Sequence, residues 1–376
     1  MRVLLATCSL VASGGVETHV QDLARQLIAR GHWPVVFAPR LGAFSQRLRE
    51  QSIPVLDDLT LLADRPDVIH GHYGLSLLAA MLRFPTAPAV QTCHAWHWRG
   101  DVPPNLPNVR RRIAVDMLCR ERLVCGFGYR EDEIDLLLNG VDLERFARRR
   151  APARRPQRAA VFGNYLSENA AEPIISACRQ AGIAVDLIGR RFGADCAEPE
   201  RRLPDYDVVF AKGRCAWEAL ASGCAVVVAD AAGLGPLVTS ADLQQQRLRN
   251  FGRRLLVDPL TLAGVAARLA RYDPDDAALV AERVRRENSL ELMVDQLLAI
   301  YDDAIHDEAP RIAVDEHARL AEYAERLCRE LAVDEPRPIS AGRRLRKQAT
   351  ARADRFARQA VRTLKTPWNK LRGRAT

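Results

Sequence analysis

Short apolar strands alternate with amphipathic helices twice along this chain, and a proline- and arginine-rich stretch separates the two runs. In the first run, residues 2–7 read as a strand and 16–30 as a helix with Val20, Leu23, Leu27 and Ile28 on one face. Residues 33–38, 68–70 and 89–92 are further strands, and 75–82 has helical spacing. After residues 148–158 the alternation restarts, with strands at 159–163, 184–189, 207–211 and 225–230 and helices between them. Apolar strands alternating with helices require a parallel sheet covered on both faces. The chain is therefore expected to be α/β, with two Rossmann-like, doubly wound domains facing a cleft, 1–147 and 159–306, joined by a linker at 148–158. Residues 290–305 are expected to be a helix that closes the second domain.

Residues 307–376 read as a helical extension. A helix is expected over 313–331, and Asp334-Glu335-Pro336-Arg337-Pro338 breaks it. Beyond it Leu345, Ala349, Ala353, Phe356, Ala360, Leu364, Trp368 and Leu371 fall three and four apart, with Arg and Lys on the other faces. This stretch also explains the net charge of +8: residues 343–376 hold twelve Arg or Lys against one Asp, which leaves −3 for the rest. Nucleic-acid binding by the body has no electrostatic support. The basic stretch 343–372 can lie on an anionic membrane surface, pack on the body, or stay solvated. The nine cysteines are scattered, odd in number and without a Cys-x-x-Cys pair, which predicts reduced thiols and a cytoplasmic protein. No apolar run reaches the roughly 18 residues of a membrane span.

The chemistry is expected around Lys212-Gly213-Arg214. The turn follows a strand and opens a helix that carries Glu218 one turn in. Two cations at a helix N-terminus suit phosphates, and a carboxylate there can accept hydrogen bonds from a ribose diol. The plain alternative is an ordinary β-α-β unit with a solvated turn.

Four motifs, in order, resemble family 4 glycosyltransferases of the GT-B fold. They are Gly14-Gly15-Val16-Glu17, Asp67-Val68-Ile69-His70-Gly71-His72, Asn139-Gly140-Val141-Asp142, and Glu218-Ala219-Leu220-Ala221-Ser222-Gly223. The resemblance covers about residues 1–305 and implies sugar transfer from a nucleotide-diphosphate donor to an acceptor. It implies that Gly14 and Gly15 bring backbone N–H groups to the donor phosphate, that His94 lines the sugar site and that Glu218 holds the ribose. It also implies catalysis without a bound metal and a retaining outcome.

Two departures matter. The position eight residues before Glu218, usually a second glutamate, is Phe210. The loop opened by Gly163 and Asn164 lacks the usual Arg and Lys. Lys212 and Arg214 are therefore expected to be the catalytic cations beside His94, with Gly163, Asn164, Gly213 and Gly233 completing the donor site. Gly233 belongs to residues 231–236, which occupy the place of the family's glycine-rich donor loop.

The remaining candidates are weaker. His70, His72, His94 and His97 have no supporting ligand set at metal spacing, so no metal and no cofactor are expected. Asp67 and His94 are expected near one another at the carboxyl edge of the sheet. Gly126-Phe127-Gly128 and Gly233-Leu234-Gly235 lack a third glycine, which argues against a dinucleotide enzyme. The expected function is a glycosyltransferase acting on a saccharide or lipid-linked acceptor in cell-envelope, lipopolysaccharide or surface polysaccharide synthesis, at the inner membrane face or in the cytoplasm. Its rivals are a non-catalytic nucleotide-sugar-binding or scaffold homologue, and a sugar-nucleotide epimerase or hydrolase.

Overall fold

A computed structural model describes residues 1–96, 102–148 and 150–307. His97, the helix expected at 313–331 and the basic stretch 343–372 lie outside the described residues.

Seven parallel strands form the first sheet: β1 (Arg2–Ala6), β2 (Trp33–Phe37), β3 (Val55–Leu56), β4 (Val68–Gly71), β5 (Ala89–Cys93), β6 (Val109–Ala114) and β7 (Ile134–Leu136), in the order β3-β2-β1-β4-β5-β6-β7. The second sheet holds β8 (Arg158–Phe162), β9 (Ala184–Ile188), β10 (Val208–Ala211), β11 (Ala225–Asp230) and β12 (Gly233–Leu237), in the order β12-β11-β10-β8-β9. Only β12 is antiparallel among these described strands. Helices α1 (Gly15–Ala29), α2 (Ala43–Glu50), α3 (Gly74–Arg83) and α4 (Met117–Glu121) accompany the first sheet. Helices α5 (Glu168–Gln180), α6 (Pro199–Arg202), α7 (Arg214–Ala221), α8 (Leu243–Leu248), α9 (Leu262–Leu269) and α10 (Pro274–Glu287) accompany the second, and α11 (Leu290–His306) ends the described chain. No described helix is long and apolar enough to cross a membrane.

The expected α/β architecture with two sheets is present, with three corrections. First, α11 does not close the second half. Leu290, Met293, Val294, Leu297, Ile300, Tyr301 and Ala304 are buried in one core with Val3, Leu5, Val20, Leu23 and Leu27. The chain thus returns to the first sheet, and the burial of that apolar stripe explains why. Second, residues 231–236 are not a loop: Gly233 opens β12, which pairs back on β11 through a bulge. Third, Asp67 and His94 sit at opposite ends of the sheet. Asp67 precedes β4 and accepts from the Arg2 backbone N–H at 2.7 Å, whereas His94 follows β5.

The two crossings between halves run side by side. Val141 donates its backbone N–H to Asn288 O at 2.9 Å and its carbonyl accepts from Leu290 at 2.8 Å. A side chain at Gly140 would meet Leu290 Cα and Ser289 O at 2.8 Å, so only glycine permits this approach. Asn139, from the same motif, donates to Asn250 Oδ1 at 3.1 Å. The Asn-Gly-Val-Asp segment is structural here.

Candidate active site

α1, which follows β1, meets α7, which follows β10, through the Arg214–Asp22 ion pair, and Glu17 at the start of α1 feels the charge of Arg190 beyond β9. Ligands bind at the carboxyl ends of strands in open α/β sheets. Gly14 caps α1 in an extended conformation, and a Cβ there would run into the Glu17 carboxylate. Gly15, by contrast, faces open space. In the first turn of α1 the Glu17 carboxylate accepts its own backbone N–H, and the N–H groups before it have no intrahelical partner. Burial pushes the Glu17 carboxyl up, with Arg190 acting in the opposite direction.

Arg190 is a residue that sequence reasoning missed. It follows β9, is exposed, and its charge reaches both Glu17 and Tyr165. Its backbone N–H donates to Asn164 Oδ1 at 2.9 Å. Asn164 therefore shapes the loop that carries Arg190. Gly189 and Gly163 meet beside it: Gly189 has φ +149, and a Cβ there would overlap the Gly163 carbonyl. Gly189→Ala should cost about 1–3 kcal/mol through backbone strain, read as a lowered urea midpoint with the m-value unchanged. The only signal in the sequence was Gly189-Arg190-Arg191 at a strand end.

Gly213, at φ +56, turns β10 into α7. Trp217 anchors that helix, packed edge-on against Phe251 with ring centroids 4.7 Å apart and donating to Asn250 Oδ1 at 2.6 Å. Phe210 is buried in β10 within the core of the second half, so its side chain does not reach the cleft.

The turn places its two cations in different roles. Lys212 forms an ion pair with Asp230, and its Nζ lies 4.4 Å from the centre of the Tyr165 ring. Its side chain remains about a quarter exposed, at 28%. Arg214 is instead spent on carboxylates. Its Nε donates to Glu218 Oε1 at 2.7 Å, and Nη2 pairs with Asp22 of α1. Burial opposes the Arg214 charge, but Asp22 and Glu218 outweigh it and hold its pKa above the ordinary value. Burial pushes the Glu218 carboxyl up, partly offset by Arg214. Arg145 joins the network, 3.4 Å from Asp22 and 3.1 Å from Glu200. Arg214 therefore bridges α1 and α7 and orients Glu218, and does not stand free to clamp a phosphate.

His94 is half-buried, with Nε2 3.0 Å from His72 Nδ1 and its ring edge-on to His19. Gly233 sits behind the Asp230 end of β11, where a Cβ would meet the Asp258 carbonyl at 2.7 Å; its role is this close packing.

Residues 13–145 match the family described as Glycosyltransferase Family 4. Comparison with curated proteins finds no matching relative. Among solved structures, a glycosyltransferase from Rickettsia africae is 14% identical with a TM-score of 0.60, covering 81% of this chain and 99% of that one. Anabaena Alr3699/HepE, solved in complex with UDP and glucose, is 16% identical with a TM-score of 0.61, covering 81% of this chain and 100% of that one. S. aureus MnaA, solved with UDP, is 12% identical with a TM-score of 0.50 and coverages of 82% and 99%. The chain has the GT-B fold, and the stretch 13–145 within it is similar to Glycosyltransferase Family 4.

Proposed function

We propose that this protein transfers a sugar from a nucleoside-diphosphate donor to an acceptor hydroxyl. The observation that carries the reading is Glu218, placed one turn into α7 behind the Lys212-Gly213 turn and held in orientation by Arg214. Arg214 engages Oε1, so that Oε2 would accept the ribose hydroxyls. Lys212 and Arg190, with the first N–H groups of α1 at Gly14 and Gly15, would face the diphosphate. His94 would line the sugar and the acceptor.

In the reaction the bond from the anomeric carbon to the diphosphate breaks, and a bond to the acceptor oxygen forms. The departing diphosphate gains negative charge, and its leaving oxygen can take the proton that the acceptor hydroxyl gives up. Cations and aligned amides that are already in place stabilise that charge without reorganising, which lowers the barrier. An acceptor from cell-envelope saccharide or glycolipid synthesis, met at a membrane surface, and a retaining outcome are supported by the family resemblance alone. Position 210 is a buried phenylalanine of β10, so no carboxylate from that position takes part.

A thermal-shift screen with UDP-, GDP-, ADP- and dTDP-sugars tests the reading. A donor at a hundred times its dissociation constant adds about 2.7 kcal/mol of stability. A shift with one nucleotide class that disappears in Glu218→Ala supports the donor site; no shift with any class defeats it. Binding without turnover, across a broad acceptor set, would point to a scaffold, and acceptor-independent conversion to an epimerase or hydrolase. Arg190→Ala should weaken donor binding about tenfold, the effect of losing one charge-assisted hydrogen bond. Because its side chain is exposed, stability should stay within about 0.5 kcal/mol. Unchanged donor affinity in isothermal titration would remove Arg190 from the site.

A further inference from the structure

His94 is hydrogen-bonded to a second imidazole, and the partners of the pair fix where its protons lie. His94 Nε2 is 3.0 Å from His72 Nδ1. Burial carries both rings well below the usual histidine range, so both are neutral at neutral pH and the two facing nitrogens share one proton. The ring that owns this proton sets the state of the other nitrogen in both rings. If His72 donates, its Nε2 is an acceptor and His94 carries its own proton on Nδ1. If His94 donates, its Nδ1 is a bare lone pair and His72 carries a proton on Nε2.

The far side of His72 decides between the two. His72 Nε2 is fully buried and has no hydrogen-bond partner among the described residues, and Thr7 Oγ1 is in the same condition. The two residues stand level on neighbouring strands: Ala6 of β1 pairs with Gly71 of β4, and the His72 backbone N–H donates to Ala6 O at 2.8 Å. They also share a face of the sheet. His70, two residues before His72, has Nδ1 2.6 Å from Tyr301 Oη, and Leu5, two before Thr7, lies in the core that holds Tyr301. His70 itself is spent, with Thr92 Oγ1 2.7 Å from its Nε2. The Thr7 hydroxyl is thus in place to reach His72 Nε2 by rotation of its side chain. Buried donors are left unpaired more rarely than acceptors are left under-used. With Thr7 donating to Nε2, His72 donates Nδ1–H to His94 and no buried donor is left over. In the reverse order the Thr7 hydroxyl proton has no acceptor.

We infer that Thr7 and His72 hold His94 in the tautomer with its proton on Nδ1, so that His94 meets its ligand as a hydrogen-bond donor and not as a base. Thr7 and His72 are then positioning residues that act through His94. That the ligand is a sugar rests on the transferase reading; the tautomer does not. Under that reading His94 Nδ1–H donates to an oxygen of the sugar, and the proton of the acceptor hydroxyl goes to the leaving oxygen of the diphosphate without passing through His94.

The test is a long-range ¹H–¹⁵N correlation spectrum of the full-length protein, labelled with ¹⁵N-histidine and free of ligand. The signals lost in His94→Asn assign the ring. The expected result is a protonated Nδ1 and an unprotonated Nε2 at His94. Thr7→Val should release the lock, so that the form protonated at Nε2 appears. A parent with the proton on Nε2, or with both forms, overturns the proposal, and so does a Thr7→Val spectrum identical to that of the parent. Where Thr7→Val fails to fold, the parent spectrum alone decides. Turnover supplies a second readout. The amide N–H of His94→Asn replaces Nδ1–H, so this variant should transfer sugar about tenfold faster than His94→Leu, the worth of one hydrogen bond. Equal loss in both overturns the donor role. A parent that transfers no sugar from any donor defeats the transferase reading and leaves the spectrum to decide the tautomer.

Discussion

Arg214→Met should lower the unfolding free energy by about 3–5 kcal/mol at pH 7.5, because it removes one partner from a buried ionic cluster and leaves the others charged. Asp22 keeps Arg145 at 3.4 Å, so most of the penalty falls on Glu218, which loses its Nε donor. The pH dependence carries a sign. Glu218 already has a raised carboxyl pKa in the folded protein, and without Arg214 it rises further above the unfolded value. A carboxyl with a raised folded pKa binds more protons folded than unfolded, so its penalty grows as pH rises and fades as pH falls. The gap between variant and parent should therefore narrow from pH 7.5 to pH 5.5. Urea unfolding at both values measures it. Glu218→Gln combined with Arg214→Met should recover much of the loss, since no unpaired anion remains. A gap that widens at low pH would mean that Glu218 is not the group left exposed to the cost.

Leu297→Ala should cost about 2–5 kcal/mol, the range for emptying a buried leucine position. Leu297 lies in α11, nearly three hundred residues after β1, yet it is buried in the core that holds Val3, Leu5, Leu23 and Leu27. The damage should appear in the first sheet. Hydrogen exchange should accelerate at the amides of β1 and β4 more than at those of β10 and β11. The reverse order would contradict the placement of α11.

Most strands of both sheets were legible in the sequence because they are short, mainly apolar runs such as Val3-Leu4-Leu5-Ala6 and Ala225-Val226-Val227-Val228. The exceptions have physical causes. β6 reads Val109-Arg110-Arg111-Arg112-Ile113-Ala114, and no apolar pattern announces it. Its arginines are absorbed by neighbours: Arg111 pairs with Asp135 of β7, with Nε 2.8 Å from Oδ2, and the buried Arg112 lies 3.8 Å from the centre of the Tyr129 ring. β12 carries glycine and proline, which suggest a loop, and survives as an antiparallel edge where the ladder tolerates both. At the site, the positions of Lys212 and Glu218 on a turn and helix followed from local pattern. The partners of Arg214 did not, because Asp22 lies 192 residues earlier and no local spacing links them. Arg190 was hidden for the same reason, since its importance rests on Glu17 across the cleft.

The return of α11 to the first sheet sets an order of events during synthesis. Domains generally complete themselves from the amino end as the chain is made. Here the half that is translated first lacks a wall of its core until residues 290–306 have left the ribosome. The second half, whose strands and helices lie between 158 and 287, has all its parts earlier. A chain ended at Ser289 and released from the ribosome should thus resist protease across the second half and be cut within the first. Equal protection of both would show that the first sheet closes without its last helix. The half begun first is finished last, and in the interval its core stands open on the side that α11 will cover.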